Sequence, residues 1–278
     1  INDYPRPEDR LEFAVADAEE MIKILPQLGF PPEQIIVLRD KEATKARIEQ
    51  VLYRQLRQTL KEEDRLVIFF AGHGKQLKLP KGGEEAFLMP VDASPDTPEE
   101  TGIPMADMEK IGRRLKAKHI LFVLDACYSG FVFGKTRATW SPQPSAFLAE
   151  ATRDPVIQAL TAGKTGQKAL EKGGHGIFTR SLIEGLRGAA DQRNKGFITA
   201  TDLLAWAQEN VSNDSGGRQL PQGGRLFGEG EFIFLRPGVQ LAAATPPPPS
   251  KVIVVEKPPV GSLGVAANVQ GVEVWLND

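Results

Sequence analysis

The chain has 278 residues, a formal net charge of -2 and a sequence pI of about 6.1. This length accommodates one large domain and a short additional piece, and the balanced charge does not indicate a nucleic acid or an anionic membrane surface as partner. One cysteine and three histidines exclude an intrachain disulfide framework and a Cys/His zinc site, and no apolar run of about 18 residues predicts a transmembrane helix.

The hydrophobic pattern predicts helices that alternate with strands. Apolar residues at helical spacing predict helices over 9–28, 43–60, 105–117, 176–187 and 199–211. Apolar runs predict strands over 35–38, 66–71, 120–124, 155–162 and 231–235, and a hairpin over 77–91. The segments 92–104 and 131–154 are predicted to be irregular. This order predicts an α/β fold, with a mostly parallel central sheet and helices on both faces.

Both ends of the sequence have the pattern of interrupted elements. The first residues indicate the end of a strand and the last ones an apolar alternation, so we expect a fragment whose first strand is largely missing. Residues 1–236 are expected to form the α/β domain. Residues 237–260 are rich in proline and predict a semi-rigid linker, and residues 261–278 predict the start of a truncated β module.

The single cysteine and one histidine follow two neighbouring strands. The run 120–124 leads into Asp-Ala-Cys-Tyr-Ser-Gly, which contains Cys127, and the run 66–70 leads into Ala-Gly-His-Gly, which contains His73. Parallel strands place their carboxyl ends at one edge of a sheet, where α/β proteins hold their chemistry. We therefore expect Cys127 to be a nucleophile and His73 its base, although a lone cysteine is more often a small buried hydrophobe.

Other polar residues are candidates for further roles at the site of this pair. The backbone N–H groups of Gly74 and Cys127 are candidates for an oxyanion hole. His175 is a rival base in a loop before a helix, and His119, at the opening end of a strand, is predicted to be structural. Asp125 and Asp17 are either carboxylates satisfied locally or the acidic lining of a pocket for a cationic side chain.

Three common motifs are absent from the sequence. The glycines before Lys135 are one residue too close for a P-loop, and no dinucleotide-binding glycine motif follows the first strand. No Gly-x-Ser-x-Gly segment exists, which disfavours an α/β-hydrolase serine. A nucleotide-binding domain therefore has no support from any phosphate motif.

At this point the motifs resemble those of a known family. The segments 69–74 and 124–130 are similar to the His-Gly and Asp-x-Cys-x-Ser-Gly signatures of caspase-like cysteine peptidases, the peptidase C14 family. Within it, the sequence looks like the metacaspases and their bacterial relatives, the orthocaspases. Supporting matches occur in the same order at 2–4, 14–18, 89–93 and 174–179. The resemblance extends over about residues 1–236.

The resemblance implies a caspase-haemoglobinase fold and a cysteine endopeptidase with His73 and Cys127 as catalytic dyad. Gly74 and Cys127 would supply the oxyanion hole through their backbone amides. Asp17 and Asp125 match the two aspartates of the acidic S1 pocket of metacaspases, which implies cleavage after Arg or Lys. The sequence departs at Ala71, where metacaspases often carry a serine that helps to line S1.

The resemblance also bears on cofactors and partners. The sequence requires no cofactor, but some family members need calcium, so the resemblance makes Ca²⁺ a candidate activator. The acidic loop over 92–100 is the one suggestive segment, and the sequence assigns no metal ligands. Protein or peptide substrates are expected, and no nucleic acid. Residues 261–278 are similar to the opening of PEGA-type β modules, which leaves the location open between the cytoplasm and the envelope of a bacterium. The alternative function is a catalytically inactive caspase-like scaffold for protein–protein interaction.

Overall fold

The structure is a computed structural model that describes residues 1–126, 133, 144–164, 167 and 169–236, with the backbone alone at 144 and 145. The chain divides into the compact units Ile1–Gln240 and Leu241–Asp278, and no residue of the second unit is described. The predicted linker at 237–260 and β module at 261–278 therefore lie outside the described residues and stay predictions.

The described helices and strands alternate along the chain. The helices are α1 (Ala14–Ile24), α2 (Lys45–Gln50), α3 (Leu56–Thr59), α4 (Pro98–Thr101), α5 (Asp107–Arg113), α6 (Pro144–Arg153), α7 (Ile177–Glu184) and α8 (Ala200–Ser215). The strands are β1 (Arg65–Ala71), β2 (Gly74–Lys78), β3 (Glu84–Leu88), β4 (Ile103–Pro104), β5 (His119–Asp125), β6 (Val156–Thr161), β7 (Glu171–Lys172), β8 (His175–Gly176), β9 (Phe197–Thr199), β10 (Gln222–Gly228) and β11 (Ile233–Leu235). A π-helical segment (Val51–Gln55) joins α2 to α3, and another (Gly185–Ala189) follows α7.

The central sheet has the order β1-β5-β6-β10. Strands β1, β5 and β6 are parallel, and β10 pairs antiparallel with β6 at the edge of the described sheet. Every residue of β5 is buried, which agrees with the unbroken apolar run at 120–124 within it. The predicted α/β fold with a mostly parallel sheet is confirmed.

Helices cover both faces of this sheet. Leu121 and Val123 of β5 pack into a core with α1, α7 and α8, whereas Ile120, Phe122 and Leu124 pack into a second core with α3 and α5. The alternation follows from the period of two along a strand, which sends successive side chains to opposite faces. The site described below lies at the carboxyl edge of this layered structure.

Several helix boundaries follow the sequence signals. The Thr44 side chain accepts the N–H of Arg47 and caps α2, and Thr199 caps α8 by accepting the N–H of Asp202. Gly29 adopts a left-handed backbone with φ of 85° after the 3₁₀ turn Leu25–Leu28 that extends α1. The hairpin predicted at 77–91 is formed by β2 and β3.

The structure differs from the predicted secondary structure at several places. Residues 35–38 run without a ladder partner among the described residues, and Ile36 is exposed. Residues 144–153 form α6 rather than an irregular segment, because Phe147, Leu148 and Ala151 share one face that packs on Phe197 and Ile233. The predicted final strand is present as β11, which pairs with β9 in a separate two-stranded sheet.

Candidate active site

The parallel pairing of β1 and β5 fixes which residues meet at the carboxyl edge. Ala71 lies opposite Asp125 in register, and the Gly72 N–H donates to the Asp125 carbonyl at 3.1 Å. His73 therefore leaves β1 beside the point where β5 ends. Cys127 lies two residues beyond Asp125 and outside the described residues, so its contact with His73 stays a prediction.

His73 is held on both its backbone and its ring. Its N–H donates to the Tyr4 hydroxyl at 2.9 Å, and this hydroxyl donates to the Met89 carbonyl at 2.9 Å. The two rings lie 4.7 Å apart, and the His73 Nε2 atom is 2.6 Å from the Asp9 carbonyl oxygen. Burial raises the pKa of Tyr4, so its hydroxyl stays protonated and keeps this position.

The Asp9 contact fixes which nitrogen of the neutral His73 ring carries the proton. A carbonyl oxygen only accepts hydrogen bonds, so Nε2 must carry the proton. In the neutral imidazole the other nitrogen, Nδ1, is then the acceptor. The ring is therefore poised to take a proton at Nδ1.

Gly74 is the first residue of β2 and pairs with Leu88. This position directly after His73 is compatible with the expected oxyanion contact. The oxyanion role of the Gly74 and Cys127 backbone amides stays a prediction, because the described residues do not include Cys127.

Asp17 and Asp125 meet at one buried position. Asp17 lies on α1 and is 3% exposed, and Asp125 ends β5 and is 7% exposed. A Cβ atom added to Gly176 would lie 2.7 Å from the Asp125 Oδ2 atom and 3.0 Å from the Asp17 Oδ2 atom. The structure thus brings together the two carboxylates that the sequence motifs single out.

The segment that opens α7 supplies hydrogen bonds to both carboxylates. The Gly176 N–H donates to Asp17 Oδ2 at 3.1 Å, and the Thr179 hydroxyl donates to Asp125 Oδ2 at 2.5 Å. A helix N-terminus favours nearby negative charge, which adds to these bonds. Gly176 and Thr179 are site residues that sequence reasoning missed, although both lie within the family match at 174–179.

Burial opposes the charge of this pair. Burial, and after it the neighbouring Asp17 carboxylate, together raise the pKa of Asp125 to about 7. Burial likewise raises the pKa of Asp17, against the hydrogen bonds from Gly176 and His175. Among the described residues, neither carboxylate has a lysine or arginine ion-pair partner. A cation brought in from outside would stabilise both ionised forms.

The other two histidines occupy different places. His175 does not lie at the carboxyl end of a strand of the central sheet. Its ring contacts Asp17, with Nδ1 2.9 Å from Asp17 Oδ1. His119 is buried at the opposite end of β5 from Asp125, as its sequence position predicts.

We expect Gly176→Ala to destabilise the domain by about 1–3 kcal/mol, because the new methyl group overpacks the space where the two carboxylates meet. Its backbone φ of -60° suits alanine, so steric contact is the only new cost. Urea unfolding measures the effect. Gly174→Ala is the contrasting variant. A Cβ atom added there has no neighbour within 4 Å, so its cost comes from the backbone φ of 86° and not from packing. A Gly176→Ala protein as stable as the wild type would contradict this packing.

Two carboxylates of the acidic loop 92–100 contact other groups of the protein. Asp92 accepts the backbone N–H of Lys45 at 2.8 Å, and Asp96 pairs with Arg6. Within the described ranges, no group of three or more acidic, histidine or cysteine side chains has a metal-binding arrangement. Activation by Ca²⁺ stays a prediction without a site.

The mostly parallel sheet is covered on both faces and has an imidazole and two carboxylates at its carboxyl edge. This arrangement is expected of a caspase-like peptidase domain. Residues 1–225 match the caspase domain, Peptidase C14, and the chain belongs to this family. The family consists of cysteine peptidases, whose substrates are proteins.

Two solved structures resemble this chain, and the first of them shares its fold. The chain is similar to a crystal structure of a protein from Geobacter sulfurreducens, with 19% identity and a TM-score of 0.53 over 80% of this chain and 85% of that one. It also matches a structure of pro-sf-caspase-1, with 17% identity and a TM-score of 0.43 over 80% and 83% of the two chains. No curated protein matches the sequence. None of the helices in the described ranges has the length and apolar character needed to cross a membrane.

Proposed function

We propose that the chain is a cysteine endopeptidase in which Cys127 is the nucleophile and His73 the base. The observation that carries the proposal is the His73 ring, whose Nε2 proton is bound by the Asp9 carbonyl and whose Nδ1 atom is left to accept a proton. This ring lies beside the end of β5, and Cys127 follows that strand by two residues. Membership of the Peptidase C14 family supports the same chemistry.

The reaction proceeds by acyl transfer. His73 Nδ1 takes the Cys127 thiol proton, and the thiolate attacks the peptide carbonyl carbon. The backbone N–H groups of Gly74 and Cys127 stabilise the oxyanion of the tetrahedral intermediate. As that intermediate collapses, the imidazolium gives its proton to the leaving amine, and an acyl-enzyme remains. Water, deprotonated by His73, then hydrolyses the thioester and regenerates the thiol.

Asp17 and Asp125 form the S1 pocket in this proposal, and the P1 residue is Arg or Lys. The support is physical: two buried carboxylates are costly unless a cation neutralises them, and a basic P1 side chain brings such a cation. An acidic S1 pocket would favour the metacaspase-like branch of the family over peptidases that cleave after Asp.

The test is hydrolysis of fluorogenic peptides with Arg, Lys, Asp or Leu at P1, by the wild type and by Cys127→Ala, with and without Ca²⁺. Cleavage after Arg or Lys that is lost in Cys127→Ala is the expected result. Cleavage after Asp alone would support Cys127 as the nucleophile and contradict the acidic S1 pocket. A folded wild type that cleaves none of the peptides, with a thiol inert to an electrophilic peptide probe, would favour the inactive scaffold.

A further inference from the structure

A two-stranded hairpin carries His175 to the acidic pair. Strands β7 and β8 pair Glu171 with Gly176 and Lys172 with His175. Gly173 and Gly174 form the turn between them with φ values of 68° and 86°, which residues other than glycine rarely adopt. The tight turn places the His175 ring against the buried Asp17 carboxylate, 158 residues away in sequence.

The hairpin contacts both oxygens of Asp17. The His175 Nδ1 atom lies 2.9 Å from Oδ1, and the Gly176 N–H donates to Oδ2 at 3.1 Å. An ionised carboxylate only accepts hydrogen bonds, so Nδ1 of His175 carries the proton. The two donors together fix the plane of the carboxylate and favour its charged form.

We propose that His175 is a positioning residue of the S1 pocket, which keeps Asp17 ionised and oriented toward a basic P1 side chain. This inference rests on the proposed function. In this role His175 acts only through Asp17. Because burial alone raises the pKa of Asp17, removal of a donor on Oδ1 favours the neutral carboxyl group, which binds a cation weakly.

Other charged groups surround this contact. Asp17 also faces the Asp125 carboxylate from β5, and Glu171 from β7 faces Asp17. His175 faces Glu20 of α1 and lies opposite Lys172 in the hairpin. These groups remain in a His175 variant, so a change in pH dependence there reports the lost imidazole.

The experiment measures binding of n-butylguanidinium, the end of an arginine side chain, to Cys127→Ala protein by NMR titration between pH 5.5 and 8.5. Binding is expected to weaken as pH falls, because the carboxyl groups take up protons. In His175→Ala we expect Kd at pH 7 to rise about tenfold and the loss of binding to occur at higher pH. In His175→Asn, whose Nδ2 atom can occupy the position of Nδ1, Kd should stay within about twofold.

Lys172→Ala is the matched control, because it removes an exposed side chain from the same hairpin. A His175→Ala protein with unchanged Kd and unchanged pH dependence would overturn the inference and leave the pocket in place. Equal losses in Lys172→Ala and His175→Ala would assign the effect to hairpin stability and also overturn it. If n-butylguanidinium does not bind to the protein that still has His175, the proposed S1 pocket is wrong. The dyad is tested separately by the peptide assay.

Discussion

Replacing Asp125 by asparagine is expected to lower kcat/KM for Arg and Lys substrates by about 100-fold and, at pH 8, to stabilise the fold. The loss of activity follows from removing one of two charges that face a desolvated P1 cation, an interaction commonly worth 2–5 kcal/mol. The gain in stability follows from removing a buried anion. An asparagine oxygen can still accept the Thr179 hydroxyl.

The pKa of Asp125 fixes the direction of the pH effect. Its folded-state pKa, about 7, lies above the unfolded value of about 3.9, so the folded state favours the protonated form. The wild type should therefore be less stable above pH 7 and gain stability as pH falls from 7 toward 4. Asp125→Asn should lack this contribution. Over the same range, cleavage after Arg or Lys should decline in the wild type as the carboxyl group is protonated.

Asp191→Asn provides the control for Asp125→Asn. Asp191 is equally buried, but it accepts the N–H groups of Lys195 and Gly196 and pairs with Arg236. Its replacement should destabilise the fold at pH 8 and leave selectivity at P1 unchanged. Urea unfolding and peptide hydrolysis of both variants at pH 5.5 and 8 measure the two effects. An Asp125→Asn protein that is less stable at pH 8 and still selects Arg and Lys would make Asp125 a structural cap of α7.

The sequence predicted the central strands well because their signals are local and strong. The runs in β1 and β5 are apolar throughout and end in Gly or Asp, so strand type and position follow directly. Strand β10 was missed because it contains Gly223 and Gly224, which sequence rules count against a strand. Gly223 is needed there: a Cβ atom would lie 2.7 Å from the Ala159 carbonyl oxygen of the neighbouring strand.

The errors elsewhere come from tertiary context. Helix α6 begins at Pro144. Proline counts against a helix interior, but the first turn of a helix tolerates its missing N–H. What stabilises α6 is distant in sequence, since Phe147 stacks on Phe197 with ring centroids 5.7 Å apart. Residues 35–38 have strand-like composition, but no described strand pairs with them.

In the candidate site, too, some features follow from local sequence and others depend on the tertiary fold. The order of motifs was enough to single out His73, Asp17 and Asp125, and β-strand register explains why His73 and Asp125 share an edge. The contact between His175 and Asp17 depends on how a glycine turn folds onto α1. No spacing in the sequence encodes that contact, so a positioning role for His175 could be proposed only once the fold was known.

His73→Gln is expected to lower kcat by about a thousandfold and to leave KM nearly unchanged. A glutamine amide can donate to the Asp9 carbonyl as Nε2 does, so the local structure should persist. It cannot take a proton at neutral pH, so the general base is lost. Initial rates with a P1-Arg peptide, and circular dichroism as a check of folding, measure the effect.

Alkylation of Cys127 by iodoacetamide tests the dyad without a substrate. If His73 takes the thiol proton, the alkylation rate at pH 7 should fall in His73→Gln, because a free thiol of pKa about 8.5 is mostly protonated there. His175→Gln is the matched control: it should raise KM for a P1-Arg peptide and leave both kcat and the alkylation rate near wild type. If His175→Gln lowers kcat and slows alkylation while His73→Gln does neither, the base is His175, and the proton route through Nδ1 of His73 must be abandoned.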